Sequence, residues 1–190
     1  MTSLDTTSSA PASRSSQLPT IMIGAAFLLV AIVFAASSDL YDAFMAVHVT
    51  FVVVWVGGGA ALTILGIVAQ ATGDGAQLAT IARQAAFLGE RVFAPAGIVV
   101  VAMGIAMVLR GHIGFDHFWT VFGMLGFLST FIIGVAVLRP MSASVAKILE
   151  EKGVESPEGR AAVEKILLIA RADIAVLLLV VVDMVTKPFS

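Results

Sequence analysis

Asp42-Ala43-Phe44-Met45-Ala46-Val47-His48-Val49-Thr50-Phe51-Val52-Val53-Val54-Trp55-Val56-Gly57-Gly58-Gly59 opens an apolar run that continues to Ala69. At 1.5 Å per residue such a run is long enough to cross a bilayer as one helix. A histidine inside a segment of this kind is costly to leave against hydrocarbon, so it faces a protein interior and marks a candidate functional site. His48 is that residue. Trp55 follows it by about two helical turns and lies on the same face, and the three glycines after Trp55 let a neighbouring helix come close. The stretch predicts a membrane helix with one face turned into a helix bundle.

The rest of the chain has the composition to match. Of 190 residues, 59% are hydrophobic and only 13% are charged, far from the roughly one-quarter charged share of soluble domains. Mean hydropathy is +1.02, so the class is an integral membrane protein in contact with the lipid bilayer. There is no cysteine, which removes disulfides, thiolate metal sites and a cysteine nucleophile. Any metal would need histidine, carboxylate or methionine. A net charge of -2 without a basic block gives no electrostatic footprint for nucleic acid.

The fold these runs predict is all-α, a polytopic membrane bundle of five transmembrane helices: a four-helix core over residues 40–188 behind an N-terminal anchor. Residues 1–20, rich in Ser, Thr, Ala and Pro, read as a disordered cytoplasmic tail. The run over 21–36 reads as the anchor, a transmembrane helix over 21–37, with a cleaved signal peptide as the rival because Ala35, Ala36 and Ser37 are small. Turn residues at 71–75 end the second run. Residues 76–89 read as a mildly amphipathic helix, 92–109 as the third span with Pro95 in its first turn, and 118–138 as the fourth, closed by Arg139-Pro140. Residues 139–165 read as a charged cytoplasmic loop containing a helix that Gly153 stops. The apolar stretch over 174–186 is too short to span alone, so the fifth helix is expected to begin near Ile166. Arg171 and Asp173 then fall at the membrane edge, either as a snorkelling arginine with a local partner or in a buried polar cluster with Glu90 and Arg91.

Five crossings put nine of the 11 cations on one side, leaving only Arg110 and Lys187 on the other. The positive-inside rule then sets the N-terminus in the cytoplasm and the C-terminus outside. His48 lies in the outer half of its span, about 10 Å from Asp42, and Asp183, His112, Asp116 and His117 lie on the same side. His112, Asp116 and His117 form a loop cluster of ligand types that could hold a divalent metal, although a surface loop with two histidines is more often just solvated. His48 reads either as a cofactor ligand or as an imidazole bonded to a carbonyl or to Asp183 for packing. Asp183 reads as a structural partner or a proton-handling carboxylate. Gly57, Gly58, Gly59, Gly123, Gly126 and Gly134 read as helix contact points.

Several of these residues recur together. His48-x6-Trp55-x-Gly57-Gly58, Glu90-Arg91-Val92-Phe93-Ala94-Pro95-Ala96-Gly97, Leu138-Arg139-Pro140 and Asp183-Met184-Val185-Thr186-Lys187-Pro188 resemble an uncharacterised family of small bacterial integral membrane proteins, a domain of unknown function, across about residues 40–188. More distantly, the His-x6-Trp pattern is similar to HemJ-type protoporphyrinogen oxidases, and His with Trp-x-Gly-Gly is similar to CopD-type copper-resistance proteins. The first likeness implies haem b held by His48 as an axial ligand, with Trp55 and Asp183 beside it, in a bacterial inner membrane. HemJ-type enzymes carry a lysine in the helix corresponding to 118–138, where this chain has no basic residue, which argues against the oxidase reaction. A second haem ligand would come from Met103, Met107 or Met124.

Three functions follow as expectations. One is redox or haem handling at His48, making the protein, if an enzyme at all, a membrane oxidoreductase. Another is copper handling by His48 with His112, Asp116 and His117. The last is a cofactor-free subunit acting through helix contacts, in a homo-oligomer or with another membrane protein.

Overall fold

The computed structural model describes residues 39–189; the tail and the anchor or signal peptide expected at 1–37 lie outside them. Among the described residues all regular structure is helical: α1 (Leu40–Thr72), α2 (Gly75–Leu88), α3 (Ala94–Arg110), α4 (Phe118–Ile132), α5 (Arg139–Lys152) and α6 (Pro157–Thr186). Two joins are continuous. A π-helical turn over Gly89–Phe93 carries α2 into α3, and another over Ile133–Leu138 carries α4 into α5.

Proline explains both. Inside a helix it offers no N–H to the carbonyl four residues back, and its ring crowds that carbonyl. Just before Pro95 the Ala94 N–H donates to the Gly89 carbonyl, and just before Pro140 the Arg139 N–H donates to the Gly134 carbonyl. Each bond reaches five residues back rather than four, so the turn takes in one extra residue and the helix carries on. Pro140 therefore does not close a helix. The loop expected over 139–165 is helix on either side of a short connection at residues 153–156, where Gly153 takes φ +81°. Nor does the last helix begin near Ile166. It begins at Pro157, with Ser156 as N-cap accepting the Gly159 N–H at 2.9 Å, a placement of Ser then Pro that suits a helix start.

The rods that result are 33, 36, 35 and 30 residues long, and at about 1.5 Å per residue each exceeds the roughly 30 Å of a bilayer's hydrocarbon. Three of them, Leu40–Thr72, Gly75–Arg110 and Phe118–Lys152, are long and apolar enough to cross a membrane. In α6 the apolar stretch is interrupted by Arg171, Asp173 and Asp183.

Neighbouring rods, including the first and the last, are antiparallel, as the contacts show by counting in opposite directions. A Cβ at Gly59 would meet Ile174, and one at Gly66 would meet Leu167. Likewise Gly123 faces Met184 and Gly126 faces Val180. Arg83 pairs with Glu150 and Glu90 with Arg139. Small residues at crossing points let apolar rods approach closely; Gly123 and Gly126 serve in this way between α4 and α6, whereas Gly58, Gly59 and Gly134 receive the side-chain tips of Phe93, Ile174 and Trp55, and Gly57 has nothing near it.

Two separate cores hold the bundle. One, around Ala69, Leu78, Val145, Leu149 and Leu167, packs the end where the ion pairs gather. The other, around Trp55, Ala96, Val100, Phe127, Leu177 and Val180, packs the opposite half.

Candidate functional site

Between the two cores lies a cavity of about 140 Å³. Trp55 and Leu177 bound it on one side, Leu78 and Val145 on the other, and both π-helical turns contribute to its wall through Gly89, Phe93, Gly134 and Val135. π-helical turns inside α-helices are frequent at functional sites. The lining is mostly apolar, with Thr63, Ser142, Arg139 and Asp173 as its polar members.

Asp173 is the exceptional one. It is only 8% exposed, and its Oδ1 is fully buried with no hydrogen-bond partner among the described residues. A buried carboxylate oxygen without a partner is costly while the group is charged, which favours a proton on Asp173 or a donor placed in the cavity beside it. Arg139 does not fill that role, because its Nη2 donates instead to Glu90 Oε2 at 2.7 Å. Thr63 Oγ1 donates to the Gly59 carbonyl. The chemistry on offer is a small apolar chamber with one unmet acceptor.

Trp55 is 6% exposed and lies against Phe93, Phe127 and Phe131, ring centroids 5.4–5.9 Å apart. Gly97 meets the indole directly: a Cβ there would lie 2.5 Å from its Cζ3. Two turns away on the same side of α1, the half-buried His48 donates from Nδ1 to the Val100 carbonyl at 2.9 Å and packs its Cε1 beside Gly104. This bond fixes the tautomer and leaves the Nε2 lone pair open.

Other expected groupings are distributed differently. Asp183 does not orient His48; it is 5% exposed, and neither of its carboxylate oxygens has a partner among the described residues. Of the expected polar cluster, Glu90 is joined to Arg139 rather than to Arg91, while Arg91 and Arg171 are exposed and Asp173 stands alone. Among the described residues no three His, Asp, Glu or Cys side chains converge to hold a metal ion, and that includes His112, Asp116 and His117. His112 itself adopts φ +50° in the α3–α4 loop.

A family described as a predicted integral membrane protein, DUF2269, matches residues 43–188, the span that contains every residue of the cavity wall. The chain belongs to that family. No curated protein and no solved structure matches it. In this DUF2269 protein, an integral membrane protein by family, the three apolar rods are the candidate membrane-spanning helices. The cavity members that sequence reasoning missed are Thr63, Arg139 and Ser142. The available signal was Pro140 itself, whose neighbours Arg139 and Ser142 sit where the widened turn opens the wall.

Proposed function

We propose that the protein is a membrane-embedded binding protein that holds a small, largely apolar ligand bearing one positively charged donor group, with Asp173 as its anchor. The observation that carries this is the fully buried, unpartnered Oδ1 of Asp173 on a cavity of about 140 Å³. An apolar cavity of about 150 Å³ in another protein takes up benzene, so the matching ligand has a six-carbon body and an amine. The chain crosses the membrane with α6 as a further span, the cation-rich end lying in the cytoplasm of a bacterial plasma membrane.

Thermal unfolding of the detergent-solubilised protein tests the anchor. Cyclohexylamine raises the apparent Tm of the wild type but not of Asp173→Asn, and methylcyclohexane does so far less than the amine. Equal shifts in both proteins, or in neither, exclude the reading.

A second reading is favoured by a specific observation at His48. With Nδ1–H given to Val100, His48 would be able to hold haem b through its Nε2 lone pair. Met107 continues the Val100–Gly104 stripe of α3 and is the matching candidate for the second position. Bound haem would supply one-electron chemistry; His48 would supply its orientation. Oxidised and dithionite-reduced absorption spectra decide: a Soret band lost in His48→Ala supports it, and a colourless protein after adequate haem supply removes it. Copper at the outer loop has no comparable observation behind it.

A further inference from the structure

Outside the bundle, Ala86, Phe87, Pro140 and Ala143 line a surface groove together with Glu90, Val135 and Arg139. Val135 and Arg139 also line the inner cavity. The wall between the two spaces is therefore the second π-helical turn and the Arg139 side chain, and that side chain is held by Glu90. Both partners are about half exposed, with side chains 42% and 52% accessible.

We infer that the cavity is loaded sideways through this wall, from the lipid, by a single-chain amphiphile with a primary amine head, and that the Glu90–Arg139 pair is the latch. The inference rests on Asp173 being the anchor of the inner site. Charge favours an amine at the end of the route, where Asp173 stands without a partner, while Glu90 and Arg139 at the mouth neutralise one another. Size sets the rest. The cavity accommodates a head and a few carbons, and a longer chain continues out along the apolar groove, where Phe87 is 63% exposed. The wall is also formed by a π-helical turn, which departs from the α-helical bonding on either side in the way that recurs at functional sites.

The absence of cysteine permits a direct test. Ser142→Cys puts a single thiol in the cavity wall of the full-length protein, which is then reconstituted in phosphatidylcholine nanodiscs. The thiol reacts faster with a membrane-partitioning N-alkyl maleimide than with a sulfonated one confined to water. Adding Glu90→Gln accelerates the alkyl reagent about two- to fivefold, the scale that one half-exposed ion pair allows. The reversed pair, Glu90→Arg with Arg139→Glu, returns the rate toward the starting value. 1-Aminododecane slows the labelling and 1-dodecanol does not.

An unchanged rate in Glu90→Gln overturns the latch, equal labelling by the sulfonated reagent overturns the lateral route, and failure of the amine to compete overturns the ligand class. Thr63→Cys, on the α1 part of the lining, replaces Ser142→Cys if that variant does not fold. The labelling rates need no ligand, so they stand or fall separately from the Asp173→Asn melting experiment.

Discussion

Gly97 and Trp55 are in contact with no room between them: a Cβ on the glycine would lie 2.5 Å from Cζ3 of the indole and would also collide with Phe131. Two aromatic rings cannot both withdraw from a packed core. Gly97→Ala is expected to lose about 1–3 kcal/mol by overpacking. Gly57→Ala, with nothing within 4 Å, is expected to gain up to about 1 kcal/mol from helix propensity alone. Apparent Tm in one detergent compares them, and equal shifts would show that α1 and α3 do not meet as described.

Trp55 also reports on the cavity, because it forms part of the wall. The chain has two tryptophans, so Trp119→Phe leaves the indole of Trp55 as sole emitter. Its emission is expected to shift on addition of cyclohexylamine, with no shift once Asp173→Asn is added. Trp55→Ala should lose about 3–5 kcal/mol, as large aromatic truncations do. A Trp55 signal indifferent to the amine would place the binding elsewhere.

A π-helical turn is an α-helix with one residue inserted, which makes it the one place where a residue can be removed without rotating everything beyond it. Deleting Ala136 together with Pro140→Ala is expected to leave a folded protein with the registers on both sides intact. The same single deletion at Leu128, inside α4, turns the far half of the rod by about 100° and should abolish the folded fraction on size-exclusion chromatography. Equal tolerance of the two deletions would contradict the widened turn.

Asp173 is kept at a cost to stability. Asp173→Leu, which replaces an unpartnered buried carboxyl by apolar volume, is expected to raise stability by about 1–3 kcal/mol in the absence of ligand. A structural aspartate would behave in the opposite way. The melting temperature of the ligand-free variant distinguishes the two.

Orientation is checked at the two connections. His112→Cys in the α3–α4 loop is expected to react with an impermeant maleimide applied to intact cells, and Glu155→Cys only after lysis. The reverse pattern would invert the topology.

Much of this architecture was legible in the residues. His48 and Trp55 fall on one face of α1 at helical spacing and both meet α3, and the glycines at 123 and 126 lie where α4 meets α6 because a missing side chain is how apolar rods come together. Pro95 and Pro140 were harder. Each reads locally as the start or the stop of a helix, because that reading assumes an unbroken four-residue ladder; the ladder here lengthens by one residue instead, so two helices and a loop become one rod. The isolation of Asp173 was not legible for a related reason. Periodicity gives the face of a helix a residue occupies, but whether Arg91 or Arg171 shares that space depends on the rotation of other rods. Once the widened turns shift those rods, Arg139 rather than Arg91 reaches Glu90.

The two cores share four rods but not a solvent. On the topology proposed above each rod outruns the hydrocarbon by several turns and the end with the ion pairs stands in water, where burying Leu149 or Leu167 is driven by the hydrophobic effect. Around Trp55 and Val100 lipid is as apolar as the side chains, and close packing of rings and small residues must do the holding. Urea therefore attacks the first core and a harsh detergent the second, and the protein has two ways to come apart, meeting at the level of Asp173.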